Sequence, residues 1–182
     1  MKKTLVDTVG IILTPLQKRR LHIIDNHDFS IFLKHAEKEI RKAGGEPTLN
    51  PSEAEYALKQ YYALATLNPN NMHAVSVAVD PYWHSHILHT KSYAQFCQDG
   101  IGYYMHHDPL DETDIEKGKL VEGIYEYTLK ILDTIFPNSV NLESWPKDAL
   151  NNRICWHFGS STPQESVFPT NELTRVGMMR FA

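Results

Sequence analysis

Five of the chain's ten histidines lie between residues 84 and 107, and the same window contains a cysteine. Histidine is the commonest metal ligand in proteins and the usual carrier of protons near neutral pH. A group of imidazoles this dense predicts a site for a divalent transition metal. Imidazole and oxygen donors suit several such ions, and we expect zinc or iron.

The helix expected around these histidines decides which of them can share an ion. We predict one continuous helix from Pro81 to about Gln98, because an Asp-Pro pair is a typical helix start. On a helical wheel at about 100° per residue, His86 and His89 fall on one face and His84 on nearly the opposite face. The i,i+3 spacing lets two imidazoles reach one ion, so His86 and His89 are predicted ligands.

A third ligand must come from another part of the chain. His106 and His107 follow a turn that contains Gly100 and Gly102, and glycine lets the backbone fold back toward the helix. We therefore predict that His106 or His107 completes the site. Asp108 is expected to bind the ion as well, or to hydrogen-bond to one of the histidines.

Three further residues are candidates for catalysis. Asp80 lies one helical turn before His84, so this pair either braces the start of the helix or forms a positioned acid–base unit. Tyr93 shares the face of His86 and His89, where its hydroxyl either contacts a bound water or substrate, or is satisfied in the core. Asp80, His84 and Tyr93 are the predicted catalytic residues.

The two cysteines and His157 are predicted to be structural. Cys97 lies two turns beyond His89 and is expected to be a buried thiol, as cysteine commonly is. The sequence Cys155-Trp156-His157 resembles a second group of ligands, but it is distant and weak alone, and we treat it as structural. The remaining histidines are expected to be scattered and exposed: His22, His27, His35 and His73.

Capping signals and apolar periodicity predict an all-α fold, a single-domain helical bundle. The expected helices cover about residues 15–24, 29–42, 50–67, 81–98 and 111–136. Residues 75–79 are apolar and β-branched, but one strand makes no sheet, so we expect an extended segment. The helical domain is expected to span residues 1–158. An irregular tail follows over residues 159–182, docked through Phe168 and through Met178 and Met179.

The composition limits partners and compartment. The formal net charge is −4, from 22 acidic and 18 basic residues, which argues against a nucleic-acid partner because such partners usually require a basic face. No apolar stretch approaches the roughly twenty residues that cross a bilayer, and the N-terminus lacks the pattern of a signal peptide. We expect a cytoplasmic protein, with no nucleic acid and no membrane as partner and with its two cysteines reduced.

A pattern of fixed residue types runs through the histidine-rich segment. It reads Asp-x-x-Trp-His-x-His-Ile-Leu from Asp80, continues with a Thr, a Tyr and a Cys as far as Cys97, and ends in His-His-x-Pro at Pro109. This pattern resembles the glycine-rich domain-containing protein-like family, in its bacterial short form, over about residues 50–110. His89 stands where that family often has Asp, an exchange that keeps a ligand and can change the preferred metal. The chain has only nine glycines and no glycine-rich region, and the resemblance implies no settled activity.

Three functions follow from these residues. The leading one is metal binding at the histidine-rich site. The second is a small metal-dependent hydrolase or oxygenase, with His84 and Tyr93 around an open coordination position. The third is a metal-free protein-interaction module, whose histidines and aromatic residues form a polar core or a docking groove. Converging ligands that face a cavity favour an enzyme, a closed set of ligands favours a structural metal, and imidazoles that do not converge favour the module.

Overall fold

A buried helix forms the centre of the fold, and shorter helices pack on its sides. The computed structural model describes residues 3–108, 115–147, 155–157 and 166–175. The helices and strands in these ranges are α1 (Leu5–Thr8), α2 (Pro15–Asn26), α3 (Ser30–Lys42), α4 (Pro51–Leu67), β1 (His73–Ala74), α5 (Asp80–Leu88), α6 (Thr90–Phe96), α7 (Ile115–Ile135) and β2 (Trp156–His157). The predicted all-α fold is confirmed.

The central helix is α4, and its boundaries follow from its sequence. The side chain of Asn50 accepts hydrogen bonds from the backbone N–H groups of Ser52 and Glu53, with Pro51 at the first helical position. Every residue from 57 to 67 is buried, and α1, α2, α3, α5 and α7 all contact this helix. A helix that is buried on all sides must be covered by other elements, and α4 is therefore the scaffold on which α5 rests.

The predicted continuous helix from Pro81 to Gln98 is wrong. It is divided at His89, whose backbone adopts φ −88° and ψ 60° between α5 and α6. The Nδ1 atom of His89 lies 2.8 Å from the carbonyl oxygen of Ser85, the acceptor that the His89 backbone N–H would use in a continuous helix. The backbone N–H of His89 donates instead to the carbonyl of His86, because the His89 side chain occupies the carbonyl of Ser85.

The chain turns back after α6, as the glycine pair predicted. Residues Cys97–Ile101 form a π-helical turn that ends at Gly102, with a hydrogen bond of 2.7 Å from the Gly102 N–H to the Cys97 carbonyl. Gly102 has φ +99°, and a Cβ atom there would collide with the guanidinium of Arg20. Glycine is therefore required at the point where the chain reverses toward α5.

A two-stranded antiparallel sheet joins distant parts of the chain. β1 pairs with β2 so that His73 faces His157 and Ala74 faces Trp156, and an isolated bridge links Asp108 to Trp156. The expectation of an extended segment over residues 75–79 is wrong for residues 77–79, which form a turn that leads into α5, and the strand lies just before them, at β1. Its partner, β2, lies more than 80 residues later in the sequence, a distance over which local patterns carry no signal.

Part of the C-terminal segment packs on this core. Phe168 contacts the hydrophobic core, and the buried Thr174 accepts a hydrogen bond from the backbone N–H of Met72. Met178 and Met179 lie outside the described residues, as do residues 111–114 at the expected start of α7. Among the described helices, none combines the length and the apolar content needed to cross a membrane.

Candidate metal centre

Four side chains of metal-ligand type meet at one end of α5. Asp80, His84, His107 and Cys155, here called the metal cluster, each offer one ligand atom, and these atoms all lie within 4.8 Å of one another. In the described ranges no other group of three or more such side chains is this close. The four residues come from three separate segments: α5, the loop that contains His107, and the residue that precedes β2.

Helix α5 supplies Asp80 and His84 at a spacing of four residues. The start of the helix is fixed by Ser76, whose carbonyl accepts from the Asp80 N–H at 2.8 Å and whose hydroxyl accepts from the Val79 N–H at 3.2 Å. One turn later the Nδ1 atom of His84 lies 3.5 Å from the Oδ2 atom of Asp80. The pairing of these two residues at the helix start is therefore present.

His107 lies on a loop that is anchored on both sides. The Tyr93 hydroxyl donates a hydrogen bond of 2.6 Å to the carbonyl of Met105, and Asp108 exchanges two backbone hydrogen bonds with Trp156. Trp83 is fully buried behind the loop, with its ring centroid 5.1 Å from that of His107. Tyr93, a predicted catalytic residue, is also fully buried, and its hydroxyl is used to hold this loop.

Cys155 reaches the cluster through the sheet. Its carbonyl accepts a hydrogen bond of 3.0 Å from the N–H of Val75, and its Sγ atom lies 3.7 Å from the Nε2 atom of His84. Cys155 was predicted to be structural, because the group Cys155-Trp156-His157 is distant in sequence from the other histidines and weak alone. Only the pairing of β1 with β2 brings it to α5. The other cysteine, Cys97, is fully buried as predicted, and the two thiols are not joined by a disulfide.

The distances in the cluster are close to those of a coordinated ion. Zinc binds nitrogen at about 2.0–2.1 Å and sulfur at about 2.3 Å, so tetrahedral ligands place two nitrogens about 3.3 Å apart and a sulfur about 3.6 Å from a nitrogen. The separation of Cys155 Sγ from His84 Nε2, 3.7 Å, already has this value. The Nε2 atoms of His84 and His107 lie 2.6 Å apart, in hydrogen-bond contact. They need to separate by about 0.7 Å to bind one zinc ion.

Burial sets the protonation of the cluster. The pKa of His107 is lowered to about 4, mainly by burial and also by the adjacent His84, while Asp108 acts in the opposite direction. His107 is therefore neutral at physiological pH, the form that binds a metal. Burial also raises the pKa of Asp80, against the opposing effects of His84 and the Cys155 thiol. The Oδ1 atom of Asp80 is buried and has no hydrogen-bond partner among the described residues, which a bound cation or water would correct.

The predicted ligands His86, His89, His106 and His107 are divided among different environments. His86 is fully buried on the other side of α5, and its Nδ1 atom lies 2.8 Å from the hydroxyl of Tyr62. His89 sits at the break after α5, and His106 is exposed against the ring of Tyr104. His107 is the member of this set that joins the metal cluster. Two residues along a helix correspond to about 200°, so His84 and His86 necessarily face different surroundings.

The expectation that the remaining histidines are exposed is correct for His22 and wrong for His73. His73 is fully buried beside Tyr127 and His157 in the sheet region, whereas His27 and His35 are partly buried around Phe32 and His89. A single histidine in a polar stretch gives no sequence signal for burial, because the covering residues come from other elements.

Comparison with known proteins gives one result. A sequence model of the UCP032817-like family matches residues 19–123, a range that covers α3 to α6 and all of the metal cluster except Cys155. No curated protein and no solved structure matches the chain. The resemblance to the glycine-rich domain-containing protein-like family, drawn over about residues 50–110, is therefore wrong, because the family model that matches this region is a different one. The chain belongs to the UCP032817-like family.

Proposed function

We propose that this protein binds one transition-metal ion through His84, His107 and Cys155, and that zinc is the ion that fits best. The observation that carries the proposal is the convergence of the metal cluster from α5, the loop before α7, and the residue that precedes β2. Two imidazoles and a thiol are preferred ligands of zinc and copper, whereas iron more often takes imidazole with carboxylate. The thiol of Cys155 therefore favours zinc over iron.

Asp80 has a separate role in this proposal. His84 turns its Nε2 atom toward His107 and Cys155 and its Nδ1 atom toward the carboxylate of Asp80. A carboxylate that accepts the second N–H of a metal-bound histidine fixes the orientation and tautomer of that histidine. Asp80 thus supports His84, and the ion has three protein ligands.

Three protein ligands leave one coordination position for water or substrate, which is the arrangement of catalytic zinc sites. An ion in such a site acts as a Lewis acid and lowers the pKa of a bound water toward neutrality. Metal-assisted hydrolysis is therefore the reaction class that this cluster supports best. If Asp80 binds the ion as a fourth ligand, the site is closed and structural.

The first test is the metal content of the purified protein. Wild-type protein, purified without a chelator, is compared with His107→Ala and with its matched control His106→Ala, which removes the exposed neighbouring imidazole. We expect one metal ion per chain in wild type and in His106→Ala, measured by elemental mass spectrometry. In His107→Ala we expect the affinity for the metal ion to fall about a hundredfold or more. Loss of a residue that only supports a ligand already costs about 10- to 100-fold, and loss of the ligand itself costs at least as much.

Circular dichroism confirms that the variants are folded. The proposal fails if His107→Ala keeps its full metal content, or if wild type binds no metal after incubation with zinc, iron, copper and nickel. The second result would favour the metal-free interaction module.

A further inference from the structure

A cavity between α3 and α5 shares a wall with the metal cluster. It has a volume of about 280 Å³, and its lining includes four apolar residues, Ala36, Ile40, Pro81 and Leu88, together with His84 and Ser85. Pockets that hold drug-sized ligands are commonly about 300–1,000 Å³ and mostly apolar, with a few polar groups. This cavity is therefore of a size for a smaller molecule.

Two polar atoms at the cavity lack partners. Ser85 is 4% exposed, and its hydroxyl has no hydrogen-bond partner among the described residues. The same holds for the buried Nδ1 atom of His35, which also lines the cavity. A helical serine usually bonds to the carbonyl four residues earlier, and buried polar groups in native proteins are nearly always satisfied. Both side chains line the cavity, but neither of these atoms is exposed to solvent there, so the wall that they present to an occupant is apolar.

The cavity does not select for a charged ligand. Its carboxylate, from Glu39, lies 2.6 Å from the ammonium of Lys42 and 3.8 Å from the Nε2 atom of His35. This carboxylate is already paired with Lys42, and none of the other lining residues is an acid, a lysine or an arginine. A neutral apolar body is the better match to such a surface.

We propose that this cavity receives the apolar group of the molecule that binds the metal ion. The occupant is a small molecule with a ring or branched alkyl group of about six to eight non-hydrogen atoms, joined to a carbonyl or anionic oxygen that reaches the open coordination position beside His84. This inference rests on the proposed metal site and names the ligand class of that site.

Two hydroxamic acids test the proposal with zinc-loaded protein. Acetohydroxamic acid and benzohydroxamic acid carry the same metal-binding group and differ by a methyl against a phenyl group. We expect benzohydroxamic acid to bind about tenfold more tightly than acetohydroxamic acid, because its phenyl group is transferred from water into the apolar cavity. Isothermal titration calorimetry measures the two affinities.

Variants of the cavity wall identify where the phenyl group binds. Ile40→Trp fills the cavity from α3 and should abolish the tenfold preference. Ile31→Trp is the matched control, because Ile31 lies on the same helix, is 58% exposed and does not line the cavity. Leu88→Ala removes one apolar wall at a position that is 69% exposed, so it decides the question if Ile40→Trp does not fold.

The outcomes separate this proposal from the metal site itself. Zinc content, measured independently, tests the metal site. Equal affinity for the two hydroxamic acids, or an unchanged preference in Ile40→Trp and Leu88→Ala, overturns the cavity as the ligand site. If the protein holds stoichiometric zinc but binds neither acid, the zinc ion has no open coordination position. That result also overturns the cavity proposal, while the metal site stands.

Discussion

The two faces of α5 put the same side chain to different uses. On one face His84 contacts Asp80, His107 and Cys155, all of which are polar and able to bind a metal. On the other face, two residues away, His86 lies among aromatic rings. The nearest of these is Phe32, whose ring centroid is 4.2 Å from that of His86. An imidazole is therefore a candidate ligand because of the number of ligand atoms around it, and not because of its place in a histidine-rich motif.

The aromatic face explains why His86 behaves as a core residue. Its ring also packs against Phe29, Tyr62, Tyr93 and Phe96. Burial lowers its pKa to about 3, and the nearby histidines act in the same direction, so the ring is neutral. A neutral imidazole that hydrogen-bonds to one tyrosine packs much like the aromatic rings around it.

The largest expected effect distinguishes the two cysteines, because Cys155 belongs to the metal cluster and Cys97 does not. Cys155→Ala should lower the affinity for Co²⁺ by about a hundredfold or more and remove the thiolate-to-cobalt charge-transfer band, because it deletes a ligand. Cys97→Ala is the matched control, since Cys97 is fully buried beyond α6. It should keep the band and lose only stability. Absorption spectra of Co²⁺ titrations measure both, and a band that survives in Cys155→Ala would contradict the assignment.

The next effect separates stability from metal binding. His86→Ala should reduce the free energy of unfolding by about 3 kcal/mol, because it leaves a cavity among aromatic rings and deprives the buried Tyr62 hydroxyl of its partner. Its metal content should stay at the wild-type value. Urea denaturation and elemental analysis test the two parts, and metal loss in a folded His86→Ala protein would show that the two faces are not independent.

A smaller effect is expected at Asp80. Asp80→Asn keeps the size of the side chain but removes the negative charge that lies 3.5 Å from His84 Nδ1. Loss of such a supporting partner commonly costs about 10- to 100-fold in metal affinity. Competition with a chromogenic chelator measures the change. An effect as large as that of His107→Ala would indicate that Asp80 binds the ion directly and that the site is closed.

The smallest expected effect is on the pH dependence of stability, and it concerns His73, a buried imidazole outside α5. Burial lowers the pKa of His73 to about 3, below the ordinary value of 6.5 that the unfolded chain has. The unfolded state therefore binds one more proton between these values, so stability is full above about pH 6.5 and falls as the pH approaches 3. The expected slope from this residue is about 1.4 kcal/mol per pH unit.

His73→Phe should remove that slope and keep the stacking of the ring on Tyr127. Urea denaturation of metal-free protein between pH 4.5 and 7 tests it, with wild type measured in parallel. Parallel pH profiles for the two proteins would show that His73 does not titrate as expected.

Much of the fold was predictable because its signals are local. The cap at Asn50, the proline after Thr14 and the glycine that reverses the chain at Gly102 each act within a few residues. The break at His89 was not predictable in this way, since a histidine side chain that takes the place of its own backbone N–H has no sequence pattern. The candidate site was half predictable: Asp80 and His84 are one helical turn apart, whereas Cys155 is reached only through strand pairing.

The sequence alone established that this chain forms helices, where most of them begin and end, and that half of its histidines lie in or near α5. Helix propensity, capping and periodicity depend on neighbours in the chain, so one sequence is enough to read them. The tertiary structure decided which histidines face one another, because that depends on a helix break and on backbone hydrogen bonds between residues 75, 108 and 155–156. A metal site requires several atoms within a few ångströms, and that proximity is a property of the folded chain.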